Sequence, residues 1–162
     1  HWNDPDMLVV GHVGWGPKLH PTNLTPNEQY THLTLWSLLA APLLIGCDLE
    51  RLDDFTLNLL TNDEVIAVDQ DPRGEQATPV MVDGRRQVWS RPLEDGSWAV
   101  GLFNLSREVD TVDYSWAQLG FKNPPTRVRD LWRQQDVTVT AAGIHAELPR
   151  HGTMMLRFWP AN

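Results

Sequence analysis

Residues 25–48 read TPNEQYTHLTLWSLLAAPLLIGCD, a stretch that predicts a capped helix followed by a buried strand. Thr25 is a suitable N-cap residue, Pro26 fits the first helical position, and Glu28 lies three residues after the cap, as in a capping box. Large apolar side chains then recur at helical spacing and predict a helix that is covered on much of its surface: Tyr30, Leu33, Leu35, Trp36, Leu38 and Leu39. Pro42 is expected to end this helix.

The apolar run at residues 43–47 has no alternation of polar and apolar side chains. Such a run is typical of a parallel strand that is buried on both faces. Before the helix, residues 7–10 form another short apolar run, which predicts the end of a second buried strand. After the strand, residues 53–60 and 62–70 show helical spacing. Residues 1–74 are therefore predicted to fold as strand, helix, strand and helix.

Two parallel strands with their helices leave open sheet edges, so this part is not expected to form a domain by itself. A (β/α)8 barrel needs roughly 200 residues or more, and residues 1–74 supply about a quarter of one. We therefore expect an α/β region that forms the last part of such a TIM barrel.

The second half of the chain has short strand patterns in place of helical ones. Asp95-Gly96 is a hairpin signal between two such patterns. Further candidate strands follow at short spacing, which predicts an antiparallel β-sandwich: residues 87–91, 98–103, 109–114, 127–132, 137–139, 144–148 and 154–158. The domains are predicted as residues 1–76, the end of the barrel, and residues 77–162, the antiparallel β domain.

Charge and composition exclude several classes of function. The net charge is -8, and no Lys/Arg cluster supplies a basic face, so we expect no nucleic-acid partner. No run of about 18 apolar residues is present, so no membrane-spanning helix is expected. Cys47 is the single cysteine, and zinc-binding motifs such as HExxH are absent, which argues against a disulfide and a metal site. There is no signal peptide and no initial Met, which suggests a fragment.

The motif WNDPDM at residues 2–7 is the strongest candidate for chemistry. If the backbone is extended, Asp4 and Asp6 point to the same side at one end of a strand, where carboxylates can bind sugar hydroxyls or cations, or act as acid and base. In the alternative interpretation, this segment forms a turn whose carboxylates cap backbone N–H groups. Trp2 and Trp15 are candidate sugar-stacking faces, whereas Trp36 is expected in the core.

Four segments in order resemble the melibiase-type α-galactosidases, glycoside hydrolase family 27: WNDPDMLVVG, LTLWSLLAAPLLIGCDL, NDEVIAVDQDPRG and LPRHGTMMLRF. The resemblance covers nearly the whole chain. It implies a (β/α)8 barrel followed by an antiparallel β domain, with residues 1–11 as strand seven and its active-site loop, and residues 42–48 as strand eight.

The resemblance also implies a retaining glycoside hydrolase that removes terminal α-linked galactose, so a galactose-containing saccharide is the expected partner. Asp6 and Met7 match positions that line the galactose pocket, with Trp2 and Trp15 as weaker substrate-binding candidates. The family's catalytic aspartates lie in motifs that this chain does not contain, so we assign no catalytic residue and expect the chain alone to be inactive. No metal or organic cofactor is implied.

Related activities use the same motifs, so α-N-acetylgalactosaminidase and β-L-arabinopyranosidase stay open. From another class of function, a non-catalytic carbohydrate-binding module built on the β region also stays open. Secreted, periplasmic and lysosome-like locations are equally compatible with the sequence.

Overall fold

The computed structural model describes residues 4–161. The first part of the described chain contains three α-helices and a small hairpin. Helices α1, α2 and α3 span Pro26–Leu38, Asp54–Leu60 and Asp63–Asp69, and the hairpin strands β1 and β2 span His12–Val13 and His20–Pro21. Single 3₁₀ turns occupy Gly16–Lys18 and Leu49–Arg51. Within residues 4–161, no helix has the length and apolar character needed to cross a membrane.

Helix α1 begins as the sequence predicts. The backbone N–H of Thr25 donates to Glu28 Oε2 at 2.7 Å, and the Thr25 hydroxyl accepts from the Glu28 N–H at 3.4 Å, which completes the capping box. The Thr25 N–H and hydroxyl both donate to the Glu28 carboxylate, and these bonds, with a further one to His151, lower the pKa of Glu28 to about 2. The helix ends at Leu38, before Pro42, because Ala40 adopts a left-handed φ of 46° and reverses the chain.

The two predicted barrel strands meet through a short parallel contact. Leu8 forms a parallel bridge with Ile45; its N–H donates to Leu44 O at 2.7 Å, and its carbonyl accepts from Gly46 N–H at 3.1 Å. Leu44 and Ile45 are 49% and 51% exposed in this chain. The burial on both faces that the sequence predicts for residues 43–47 belongs to a closed barrel, and these two strands alone do not provide it. Within residues 4–161, no second layer and no further strand covers that side of the pair.

The second part of the chain is an antiparallel β structure with one large and one small sheet. The large sheet has six strands in the order β3-β4-β5-β10-β7-β8, and the small one pairs β6 with β9. The bounds, from β3 to β10 in order, are Thr78–Asp83, Arg86–Pro92, Trp98–Asn104, Asp110–Ser115, Arg127–Asp130, Gln135–Val137, Gly143–Leu148 and Thr153–Trp159. Seven of these eight strands correspond to predicted strand patterns, and Asp95-Gly96 forms the predicted turn between β4 and β5.

Strand β3 and the β1–β2 hairpin were not predicted. Pro79 interrupts the pattern of β3, and proline is tolerated there because β3 lies at the edge of the sheet. The predicted limit between domains at residues 76 and 77 stays a prediction.

The central strands of the large sheet are buried on both faces. One face packs on β6 and β9 in a core that lies entirely within the β region and includes Val88, Val100, Leu102, Val112, Leu156 and Phe158. The other face packs on the helices, and its core joins Leu33 and Leu38 of α1 to Ala99, Phe103, Leu131 and Met155. The β region therefore packs by itself in the first core and against the helices in the second.

A buried polar group lies in the second core, where β4 meets α1 and α3. Arg91 is fully buried, and its Nη1 donates to the Ser37 carbonyl at 3.2 Å. Asp69, at the end of α3, is 6% exposed, and its Oδ2 accepts from the Gln70 amide. Burial raises the pKa of Asp69 to about 6, against the opposing effects of the Gln70 hydrogen bond and the Arg91 charge. The junction therefore contains a carboxylate whose ionisation opposes folding.

We expect Gly101→Ala to destabilise the contact between α1 and the large sheet. A Cβ atom at this position would lie 2.5 Å from Leu38 Cδ1 and 2.8 Å from Phe103 Cε2. Overpacking of this kind costs about 1–3 kcal/mol. Equilibrium denaturation of Gly101→Ala, Leu38→Val and the double variant measures the coupling free energy between the two positions. The double variant should lose less stability than the sum of the two single losses. Additive losses would show that the clash with Leu38 is not the cause.

Asp69→Asn is expected to change how stability depends on pH. The pKa of the folded state, about 6, lies above the value of about 3.9 in the unfolded chain, so the folded state binds the proton more tightly. Wild-type stability therefore falls as pH rises between these two values, by about 1–3 kcal/mol, and the variant lacks this loss. Denaturation at about pH 4.5 and about pH 7.5 measures the difference. Glu147→Gln, which removes an exposed carboxylate, is the control; the same pH response in Asp69→Asn and wild type would contradict the prediction.

Candidate functional site

The segment with Asp4 and Asp6 forms a turn just before the barrel strand pair. Asp4 Oδ1 accepts from the Asp6 N–H at 3.0 Å, and Asp6 Oδ1 accepts from the Met7 N–H at 2.8 Å. Asp6 has a left-handed φ of 72°, so the extended arrangement that would direct both carboxylates to the same side is wrong. The turn interpretation is confirmed, because the carboxylates of both Asp4 and Asp6 accept from backbone N–H groups of the segment.

Asp6 combines a fixed backbone with an exposed side chain. Only one of its carboxylate oxygens is used within residues 4–161, in the bond to the adjacent Met7 N–H. Its carbonyl accepts from Trp36 Nε1–H at 2.9 Å. A free, ionised oxygen on an anchored turn can accept hydrogen bonds from hydroxyl groups of a ligand.

One face of α1 holds the backbone of the whole segment. Besides the bond from Trp36 to Asp6, the Val9 N–H donates to His32 Nε2 at 3.2 Å, and the Gly11 N–H donates to Gln29 Oε1 at 3.1 Å. Gln29, His32 and Trp36 follow each other at helical spacing, so they project from one side of α1.

Burial lowers the pKa of His32, which favours the neutral imidazole that this contact with Val9 needs as an acceptor. The sequence gives no indication of this role for Gln29 and His32, since it depends on a contact between elements distant in the chain. Trp36 was expected in the core; it packs against the core and also contacts the site segment through its ring N–H.

Met7 and Trp15 lie on a common cleft of about 340 Å³. Val13, Leu19, Cys47 and Asp48 also line it, so the cleft extends from the Asp6 turn to the end of the second barrel strand. Trp15 is 82% exposed, more than any other large apolar side chain within residues 4–161. Trp2, the remaining candidate from the sequence, lies outside the described residues.

Cys47 and Asp48 have simple structural roles in this cleft. Burial raises the pKa of the Cys47 thiol, so the thiolate needed for nucleophilic attack is disfavoured. The Asp48 carboxylate caps the following 3₁₀ turn by accepting from the Glu50 N–H at 3.0 Å. Within residues 4–161, no three His, Cys, Asp or Glu side chains are grouped so that they could hold a metal ion.

The described residues define a class of protein: the end of a (β/α)8 barrel, with a carboxylate-bearing turn, followed by an antiparallel β-sandwich. Residues 1–71 match the family described as alpha galactosidase A, and residues 83–158 match the alpha galactosidase C-terminal beta sandwich domain. The chain belongs to the melibiase-type glycoside hydrolases, family 27.

Individual relatives agree with this assignment. An alpha-galactosidase of Cyamopsis tetragonoloba is 39% identical over 160 residues, which make up 98% of this chain and 37% of the relative. The crystal structure of a GH27 β-L-arabinopyranosidase from Geobacillus stearothermophilus matches with 35% identity and a TM-score of 0.91, over 99% of this chain and 38% of that one. The crystal structure of alpha-galactosidase I from Mortierella vinacea matches with 29% identity and a TM-score of 0.85, over 99% of this chain and 40% of that one. The chain therefore spans well under half the length of these relatives.

Proposed function

We propose that this chain is part of a retaining glycoside hydrolase that removes terminal α-linked galactose from oligosaccharides or glycoconjugates. The observation that carries the proposal is the Asp6 turn: the Asp6 side chain is exposed, and the next residue, Met7, lines a cleft at the end of the barrel strand pair. In TIM-barrel enzymes, substrates bind at the C-terminal ends of the strands. The family assignment and the Cyamopsis relative support galactose as the sugar.

Asp6 and Met7 have different proposed roles in sugar binding. The Asp6 carboxylate accepts hydrogen bonds from two or more hydroxyls of the terminal galactose, because an ionised acceptor forms stronger hydrogen bonds than a neutral one. Met7 supplies an apolar contact for the C–H groups of the ring. The bond from Trp36 to the Asp6 carbonyl fixes the position of both residues. Trp2 and Trp15 are the further sugar-contacting residues proposed.

The chemical step needs groups other than the two carboxylates of this turn. Retaining hydrolysis uses a nucleophile and an acid/base about 5–5.5 Å apart on opposite sides of the scissile bond. Asp4 and Asp6 belong to one turn, and Asp4 is occupied in capping it, so they do not flank a bond. We infer that this chain contributes sugar binding and that the catalytic pair lies on other parts of the complete protein.

Hydrolysis of β-L-arabinopyranosides is the second candidate activity. The observation that favours it is the match to the Geobacillus enzyme. L-Arabinopyranose has the galactose ring configuration but lacks the hydroxymethyl group at C5. A pocket that accommodates this group therefore favours galactose, whereas a pocket that is closed there rejects galactose by steric exclusion.

The proposal is tested with the complete natural polypeptide in which these 162 residues occur. We expect it to release p-nitrophenol from the α-galactoside faster than from the β-L-arabinopyranoside, and we expect the 162-residue chain alone to hydrolyse neither. Activity of the chain alone would place the catalytic pair within it and contradict the proposal. Binding of galactosides by the complete protein without hydrolysis would instead favour a carbohydrate-binding module.

Asp6→Asn in the complete polypeptide should lower kcat/KM for the α-galactoside by roughly tenfold or more, since a hydrogen bond to a charged group contributes about 1.5–3 kcal/mol. Asp4→Asn is the matched control, because an amide oxygen still accepts from the Asp6 N–H, and its kcat/KM should stay within about twofold of wild type. Near-normal kinetics of Asp6→Asn, or equal losses in both variants, would contradict the assignment of Asp6.

A further inference from the structure

Trp15 is an unusual side chain because it is both highly exposed and held on a well-defined loop. Its ring is 82% exposed, whereas burial of a tryptophan normally contributes strongly to folding. The backbone around it is not free: Trp15 precedes the 3₁₀ turn Gly16–Lys18, and its carbonyl accepts from the Lys18 N–H at 3.2 Å. An exposed indole on a fixed backbone has only two side-chain torsions to restrict when it contacts a ligand, so little conformational freedom is lost.

The base of this loop is tied to both barrel strands. β1 and β2 pair through His12 with Pro21 and Val13 with His20. The Thr22 hydroxyl donates to the Val9 carbonyl at 2.7 Å, and the Asp48 N–H donates to the His12 carbonyl at 2.8 Å. These bonds fix the loop relative to the Asp6 turn on one side and to the end of the second strand on the other.

The fold of the loop also needs glycine at one position. Gly14, directly before Trp15, has a φ of 107°, and a Cβ atom there would lie 2.6 Å from the Lys18 carbonyl oxygen. The close approach folds the loop back on itself, and Trp15 comes to lie on the same cleft as Met7. The conformation that presents the indole is thus determined by backbone contacts and does not depend on burial of the ring.

We propose that Trp15 is the stacking surface for the sugar residue that follows the terminal galactose, so that it selects oligosaccharides over simple galactosides. The inference rests on the proposed function. Met7 adjoins Asp6 in the chain and lines the cleft together with Trp15, so a saccharide whose terminal unit binds at Asp6 extends along the cleft towards the indole. The chemistry fits a neutral pyranose, because its C–H face is apolar and the exposed ring is an apolar, planar partner.

The test compares two substrates of the complete natural polypeptide. Raffinose carries further sugars after its α-galactosyl unit, whereas α-galactosyl fluoride carries none. Trp15→Ala should lower kcat/KM for raffinose about tenfold, mainly through a higher KM. The same variant should change kcat/KM for α-galactosyl fluoride by less than about twofold. Trp15→Phe retains an aromatic face and should restore most of the activity towards raffinose.

Val82→Ala is the matched control, because Val82 is also exposed and apolar, at 62%, but lies on β3. It should leave both substrates unaffected. The role of Trp15 would be overturned if Trp15→Ala lost kcat/KM equally for raffinose and for α-galactosyl fluoride, or lost none for either. Both outcomes would leave the proposed function intact. A wild-type protein that hydrolyses neither substrate would refute the proposed function and this inference together.

Discussion

The contacts made by helix α1 are the constraint on which the rest of the structure depends. From one side of the helix, Gln29, His32 and Trp36 bind the backbone of the segment that contains Asp6. From the other, Leu38 packs on the large sheet, and Ser37 binds Arg91 through its carbonyl. The helix therefore sets the position of the candidate site relative to the β region. Because the helix is a rigid, closely packed element, a displacement of the β region also displaces the candidate site.

Burial of the central strands of the large sheet on both faces explains why the β region is not independent of the helices. Along β5, Val100 and Leu102 point into the core shared with β6 and β9, whereas Ala99 and Phe103 point into the core shared with α1. The strand has no solvent-facing side, so its sequence is almost continuously apolar. This face of the sheet needs a cover, and α1 supplies it where Gly101 permits the close approach of Leu38.

Local patterns predicted much of this fold, and contacts between distant elements account for what they missed. The capping box at Thr25 and the turn at Asp95-Gly96 depend on residues close in sequence, and both were predicted correctly. The burial predicted for residues 43–47 depends on which elements surround them, and within this chain Leu44 and Ile45 stay about half exposed. In the site, the motif identified Asp6, but no local pattern indicates that His32 anchors the neighbouring backbone.

The left-handed backbone of Asp6 is the feature that best separates a functional interpretation from a structural one. Aspartate tolerates this region better than most residues, yet the conformation still carries a cost compared with extended backbone. Asp4 alone suffices to cap the turn, and the Trp36 contact uses only the main chain of Asp6. Neither contact requires a charged side chain at position 6, and the hydrogen bond from the Met7 N–H to Asp6 Oδ1 uses only one of its two carboxylate oxygens. What the left-handed geometry leaves is a second carboxylate oxygen with no partner within residues 4–161, next to a residue that lines the cleft, and strained backbone clusters at ligand-binding sites.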